Sequence, residues 1–222
     1  MKKAIDPHKT VIFFDFDNTI ATGDVLDDII ISFSRDKRWM ELEEKWKKGK
    51  IGSKECLAGQ LEGLDITKRG LDSYLGQAKL DPYFKRLLHL FCAKGAKGIV
   101  LSDNFDYIVR RILSRHRVLG QIKVYSNGLR FEKGRLRSFF PYQSRKCPLC
   151  GHCKTKNLLA NSRKDSIIIY VGDGKSDICP AGYADIVFAK ENLLKHYRES
   201  RIACLPYKTL KDVYNYLKRS FL

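Results

Sequence analysis

No apolar run in this sequence is long enough to cross a membrane or to serve as a leader. The first hydrophobic stretch, Val11 to Phe14, follows Met1-Lys2-Lys3 and Asp6-Pro7-His8 and is far shorter than a leader core or a span requires. A soluble, cytoplasmic protein with no membrane partner is expected. The chain is also short of acid, with 25 Asp and Glu against 42 Lys and Arg and a net charge of +17 over 222 residues. Such a surface draws anions, whether phosphorylated metabolites, nucleic acid or anionic lipid. Lys/Arg blocks of five or more are missing too, which argues against nucleic acid as the main partner. Disorder is excluded by the 44% of hydrophobic side chains, enough for one large domain or a core with an insert.

Cysteine is present in an odd number, seven. Cys56, Cys92, Cys179 and Cys204 stand alone and read as ordinary buried thiols. Cys147, Cys150 and Cys153 form two consecutive C-x-x-C spacings, which in a cytosolic protein point to metal before disulfide. With His152 they offer enough soft ligands for a structural zinc ion bracing the turn ahead of Lys154. Three reduced thiols are the other reading, because adjacent His152 and Cys153 do not easily reach one metal and no distant C-x-x-C completes a ribbon.

Short apolar runs alternate with longer helical stretches, the pattern of an α/β fold with a parallel sheet buried on both faces. The strand candidates are Thr10 to Phe14, Lys97 to Leu101, Gln121 to Tyr125, Ser166 to Val171, Asp185 to Phe188 and Ile202 to Leu205. Between the first two no strand is legible over a distance too long for one crossover helix, so an inserted helical domain is expected over 23–80, with core at 1–22 and 81–222. Within it Trp39, Leu42 and Trp46 recur at helical spacing, and Glu41/Lys45, Glu43/Lys47 and Glu44/Lys48 make i,i+4 pairs. The Trp stripe reads as packing surface and the charges as a solvated face. Gly49, Gly52, Gly59, Gly63, Gly70 and Gly76 punctuate the insert, and Asp81-Pro82 marks the return. Farther on, the stretch from Ser126 to Leu136 reads as a small hairpin beside the main sheet, turning at Lys133-Gly134.

The first strand ends Asp15-Phe16-Asp17-Asn18-Thr19, putting two carboxylates where a buried strand meets a loop. Carboxylates there must be paired or metal-bound, and the carboxyl ends of parallel strands are where ligands sit. Alone, the pair is equally a solvated loop. The second strand ends Ser102-Asp103-Asn104, offering a hydroxyl and backbone N–H groups opening a helix to a phosphate. A later strand ends Gly172-Asp173-Gly174-Lys175-Ser176-Asp177, and Lys154 sits on a helix leading into it.

The ordered set Asp15-x-Asp17-x-Thr19, Ser102, Lys154 and Gly172-Asp173-Gly174-x-x-Asp177 resembles the four motifs of haloacid dehalogenase-type (HAD) phosphatases. The resemblance implies a Rossmann-like core with a helical cap, as in the phosphoserine-phosphatase-like branch. It implies Asp15 as nucleophile of an aspartyl-phosphate, Asp17 as general acid and base, and Ser102, Asp103 and Lys154 as the phosphate cradle. It further implies Mg²⁺ on Asp15, the main-chain carbonyl of Asp17 and Asp173, with Asp177 and Thr19 in support. The stretch from Leu101 to Asp106, Ser126-Asn127 and Cys150 to Lys154 make the chain similar to two groups, the methionine-salvage phosphatases, towards which Leu205-Pro206-Tyr207 leans, and the phosphoethanolamine/phosphocholine phosphatases, where a Cys also precedes the motif Lys. Asn18 and Asn104 stand where the first group commonly has Gly. Asp24, nine residues after the nucleophile, either reads a cationic substrate or caps the first helix of the insert, with Asp27 and Asp28 complementing its dipole. A small phosphorylated metabolite is the expected partner. A phosphotransferase with the same intermediate, or a basic RNA- or anion-binding protein, is the rival; oligomeric state is not legible.

Overall fold

The computed structural model describes residues 4–221, so Met1, Lys2 and Lys3 lie outside the described residues. Seven strands form one sheet in the order β4-β3-β2-β1-β5-β6-β7. These are β1 (Thr10–Phe14), β2 (Lys97–Phe105), β3 (Lys123–Glu132), β4 (Arg135–Phe139), β5 (Ile167–Gly172), β6 (Ile186–Ala189) and β7 (Leu205–Pro206). All neighbours pair parallel except β3 and β4.

Every residue of β1 is buried, as a central parallel strand demands. Ile12 and Phe14 enter the core on one face, and Val11 and Phe13 enter the core on the other. The first face is covered by α5 (Phe84–Lys94), α6 (Asp106–Arg115) and α10 (Leu210–Ser220), the second by α7 (Lys154–Ala160), α8 (Ile178–Ala181) and α9 (Glu191–Glu199). Burying Phe13 and Phe14 completely stabilises the sheet by roughly 1.5–3 kcal/mol each.

β1 has β2 on one side and β5 on the other. The direction of chain progression therefore reverses at β1, and the crevice beyond its carboxyl end is the ligand position of an open α/β sheet.

Between β1 and β2 lie α1 (Val25–Phe33), α2 (Arg38–Lys47), α3 (Ser53–Glu62) and α4 (Lys68–Leu75), with no strand. A narrow stem closes this insert, since Asp81 N–H donates to the Ile20 carbonyl at 2.8 Å and Thr22 N–H to the Lys79 carbonyl at 3.1 Å. A second pair of crossings, Arg35 N–H to Gly63 carbonyl at 3.0 Å and Asp65 N–H to Phe33 carbonyl at 2.8 Å, sets α2 and α3 apart as a helical pair within it. Gly59 and Gly70 lie inside α3 and α4 and do not break them. Gly59 is where α2 comes close, because a Cβ there would stand 2.8 Å from Leu42 Cδ1.

Several boundaries differ from the sequence reading. The candidate at Gln121 begins with a 3₁₀ turn, and the strand starts at Lys123 and runs unbroken to Glu132. The hairpin is consequently part of the main sheet, with β4 as its antiparallel edge. Its turn lies at Lys133-Gly134, both at positive φ (49° and 76°), as two-residue hairpins prefer. Of Ile202 to Leu205 only Leu205 pairs, because Ile202 points to solvent and the ladder begins at Phe188↔Leu205. Cys56 alone of the four isolated cysteines is buried; Cys92 and Cys179 are exposed and Cys204 half-buried. No helix among the described residues is long and apolar enough to cross a membrane.

Candidate active site

Asp15 is the first residue beyond β1, held by its N–H on the Val171 carbonyl at 2.9 Å. Lys154, the first residue of α7, reaches it across the crevice, with Nζ 2.8 Å from Asp15 Oδ1, 2.7 Å from Asp177 Oδ1 and 3.0 Å from Ser176 Oγ. Asp177 is saturated. Its Oδ1 also accepts from Tyr170 Oη at 2.7 Å, and its Oδ2 takes the N–H groups of Asp173 and Gly174 at 3.0 and 2.9 Å. Gly172 is what permits this, since a Cβ there would lie 2.5 Å from Asp177 Oδ2. Asp173 Oδ1 accepts from Thr19 Oγ1 at 2.9 Å, and Thr19 meets Tyr207 Oη at 3.1 Å.

Asp15, Asp173 and Asp177 present carboxylate oxygens within 4.8 Å of one another, all from buried residues. Burial, then the Asp177 charge, holds the Asp15 carboxyl well above the usual carboxylate range, against the pull of Lys154. Burial and Asp177 likewise push Asp173 up to about 7. Burial by itself would lower Lys154, but Asp15 and Asp177 keep it charged. One ammonium among three carboxylates leaves the cluster short of positive charge. Hard oxygen ligands at this spacing fit a divalent cation such as Mg²⁺. Asp15 and Asp173 have lone pairs to spare for it, whereas those of Asp177 are committed to hydrogen bonds.

Asp17 lies outside this cluster. Its oxygens take the Val25 N–H at 2.9 Å and Asn104 Nδ2 at 2.9 and 3.2 Å. Burial, then the Asp24 charge, pushes it up to about 8, so it holds a proton at neutral pH. Two carboxyls two residues apart thus stand in different surroundings, one beside a lysine and the other beside an amide.

The phosphate-side residues are arranged less simply than the sequence implied. β2 continues through Ser102-Asp103-Asn104 with a register shift between Leu101 and Phe105, and α6 begins only at Asp106, so these residues do not open a helix. Ser102 is fully buried and its Oγ accepts from Asn104 N–H at 3.0 Å. Asp103 faces the cavity with Oδ1 lacking a protein partner, and its carbonyl accepts from Asn127 Nδ2 at 2.6 Å. Asn18 has φ 53°, a left-handed conformation that Asn tolerates better than most non-glycine residues.

A cavity of about 340 Å³ opens over these groups. Its floor is Asp15, Asp17, Lys154 and Asp173, and its far wall is the helical insert, through Asp24, Asp27, Glu43, Trp46 and Gln60. Asp24 caps α1 by accepting the Asp27 N–H at 2.9 Å, and it also lines the cavity. Trp46, Glu43 and Lys47 correct the sequence reading, because this part of α2 faces the cavity and not only solvent. Helical spacing reports which residues share a face, not what the face looks upon. Glu43 takes Gln60 Nε2 at 3.3 Å.

Sequence reasoning also missed Asn104, Tyr170, Ser176 and Tyr207 as parts of the site. For Asn104, Ser176 and Tyr207 the available signal was position at or beyond the carboxyl end of a strand; Tyr170, inside β5, carried none.

Zinc finds no support at the cysteines. Among the described residues the one group of three metal-capable side chains in reach of each other is Asp15, Asp173 and Asp177. Both ring nitrogens of buried His152 are engaged, Nδ1 on the Ser102 carbonyl at 2.8 Å and Nε2 with Asn157 Nδ2 at 2.7 Å.

The chain is similar to the 2-hydroxy-3-keto-5-methylthiopentenyl-1-phosphate phosphatase of Geobacillus thermodenitrificans (strain NG80-2), at 27% identity over 94% of this chain and 96% of the relative. It is similar to the protein of the same name from Exiguobacterium sibiricum (strain DSM 17290), at 28% identity over 93% and 95%. In fold it matches a substrate-bound phosphoserine phosphatase with TM-score 0.71, covering 94% of this chain and 98% of that one at 19% identity. Over residues 10–201, which hold all four motifs and the insert, the sequence matches the family described as "Putative Phosphatase". This chain belongs to that family, a group of HAD-type phosphatases.

Proposed function

We propose that this protein hydrolyses a small phosphomonoester through an aspartyl-phosphate on Asp15. The observation that carries the reading is that Asp15 stands 2.8 Å from Lys154 beside two further carboxylates, while Asp17, two residues on, lies apart from that cluster and bears a proton at about 8. An Asp15 oxygen attacks phosphorus as the bond to the leaving oxygen breaks, and Asp17 gives that oxygen its proton. Asp17, now ionised, takes a proton from water, whose oxygen attacks the same phosphorus and frees Asp15. Lys154 offsets charge on the phosphoryl oxygens, and the Ser102 hydroxyl hydrogen and the Asp103 main-chain N–H complete the cradle. Mg²⁺, held by Asp15, Asp173 and the Asp17 carbonyl with Asp177 in support, would supply the charge that lets a dianion approach these carboxylates. Thr19 and Tyr207 fix Asp173, and Asp177 fixes Lys154.

Residues 23–80 act in this reading as a cap that opens for substrate and closes to exclude water. The relatives named above act on a methylthiopentenyl phosphate, a small phosphorylated metabolite, and a cavity of about 340 Å³ accepts a substrate of that size. Among the described residues the wall formed by Asp24, Asp27 and Glu43 has Lys47 as its one cation, and burial pushes Asp27 up to about 7. That imbalance fits a substrate whose far end is positively charged.

The test is Mg²⁺-dependent turnover of an aryl phosphate and of a panel holding phosphoethanolamine, phosphocholine, phosphoserine and sugar phosphates. Asp15→Asn is expected to cost at least about a thousandfold in kcat. Full activity in that variant would remove Asp15 as nucleophile. Asp24→Asn is expected to raise KM for cationic members of the panel and to leave sugar phosphates unchanged; an equal effect on both would sink the charge reading. Phosphorylated product formed from an added alcohol would make the enzyme a phosphotransferase.

A further inference from the structure

Cys147 and Cys150 flank a Pro148-Leu149 turn, with their sulfur atoms 2.9 Å apart and both side chains half-buried. The turn is closed by Cys150 N–H on the Cys147 carbonyl at 3.4 Å, and the turn before it by Cys147 N–H on the Ser144 carbonyl at 3.0 Å. Its tip is also the seat of the insert. Lys54 N–H, at the start of α3, donates to the Leu149 carbonyl at 3.2 Å, and Gly151 N–H donates to Ser53 Oγ at 3.0 Å. The approach is close enough that a Cβ on Gly52 would stand 2.1 Å from the Leu149 oxygen. A few residues later the same segment becomes His152, seated on the Ser102 carbonyl, and Lys154. One short stretch thus joins a dithiol, the docking point of α3 and the phosphate-side lysine.

We propose that Cys147 and Cys150 form a reversible disulfide that locks this turn, keeps α3 docked and slows opening of the cap. The lock rests on the cap reading above; the disulfide does not. The oxidant is a low-molecular-weight disulfide. Cys147, as its thiolate, attacks one sulfur of that disulfide and expels a thiolate. Cys150 then attacks the Cys147 sulfur and expels the second. Two electrons pass to the oxidant, and the two cysteine protons leave with the released thiols. Cys150 takes the resolving role, because its sulfur lies 2.9 Å from that of Cys147 across the turn. The closed ring is too small to gain much loop entropy, so its effect is local rigidity at Leu149.

The experiment equilibrates the full-length protein with graded ratios of a small disulfide to its thiol. Linkage is mapped by mass spectrometry after alkylation, exchange at the Lys54 amide is followed by hydrogen exchange, and aryl phosphate turnover is measured with Mg²⁺. The expected result is a Cys147–Cys150 link, slower Lys54 exchange and a fall in kcat of about fivefold or more, reversed by thiol. Combined Cys147→Ser and Cys150→Ser substitution is expected to keep the reduced rate and lose the redox response. A link to Cys153 instead, no link, or a link with unchanged exchange would overturn the proposal. A link with slowed exchange in a protein without turnover would overturn the phosphatase reading and leave the lock standing.

Discussion

Replacing Lys154 by Met removes the one cation among the described residues that touches the buried carboxylates. The Lys154 side chain is 2% exposed, that of Asp177 0% and that of Asp15 12%, so solvent does not screen the loss. Removing one partner of a buried ion pair costs about 3–5 kcal/mol, and in a chain of this size each kcal/mol moves Tm by about 2–4 °C. The metal-free variant is therefore expected to melt about 6–20 °C below the parent at pH 8. The pH dependence has a definite sign. A carboxyl whose folded pKa is raised favours the fold fully below its unfolded pKa of about 4 and loses that contribution as pH rises through the folded value. Loss of Lys154 raises Asp15 further, so the deficit shrinks toward pH 5 and grows toward pH 8. Saturating Mg²⁺ recovers part of it, because a divalent cation neutralises the same oxygens. Calorimetry or urea melts from pH 5 to 8, with and without Mg²⁺, read this directly. A deficit below about 1 kcal/mol at pH 8, or one constant with pH, would refute a buried, charge-deficient cluster.

Other expectations follow from single contacts. Asp17 must carry a proton to protonate the leaving group, and its carboxyl is pushed up to about 8, so kcat/KM is expected to fall as pH rises through that region. A pH profile flat to 10 would remove Asp17 as the acid. The Asn104 amide lowers Asp17 from still higher, so Asn104→Leu is expected to shift the alkaline limb upward while reducing kcat; an unmoved limb would show that the contact does not tune Asp17. Gly52→Ala places a Cβ against the Leu149 oxygen, so the start of α3 must shift. A raised KM with little change in global stability is expected, and unchanged kinetics would show that this contact does not govern the cap.

Short apolar runs carried β1, β2, β5 and β6, because a strand buried on both faces has no choice of side chain. The readings that failed were β7, where a pairing of two residues leaves almost no pattern, and the hairpin, which is the continuation of β3 within the main sheet. The insert was legible as an absence of strands, but the orientation of α2 was not. Trp46 and Glu43 have the spacing of an ordinary amphipathic helix, and only the stem at Ile20 and Asp81 and the seat on Leu149 turn them toward the crevice.

Asp15, Asp17, Lys154, Asp173 and Asp177 were singled out by the sequence alone, because carboxylates at the ends of buried strands are costly unless a lysine, a metal or a hydrogen bond meets them. What tertiary structure decided is which of them meet. Asp15 and Asp17 are near neighbours in sequence, yet one faces Lys154 from 139 residues away and the other faces Asn104 from 87 residues away. In each, burial raises the carboxyl and the partner from across the sheet opposes that rise, and no local pattern encodes such a contact.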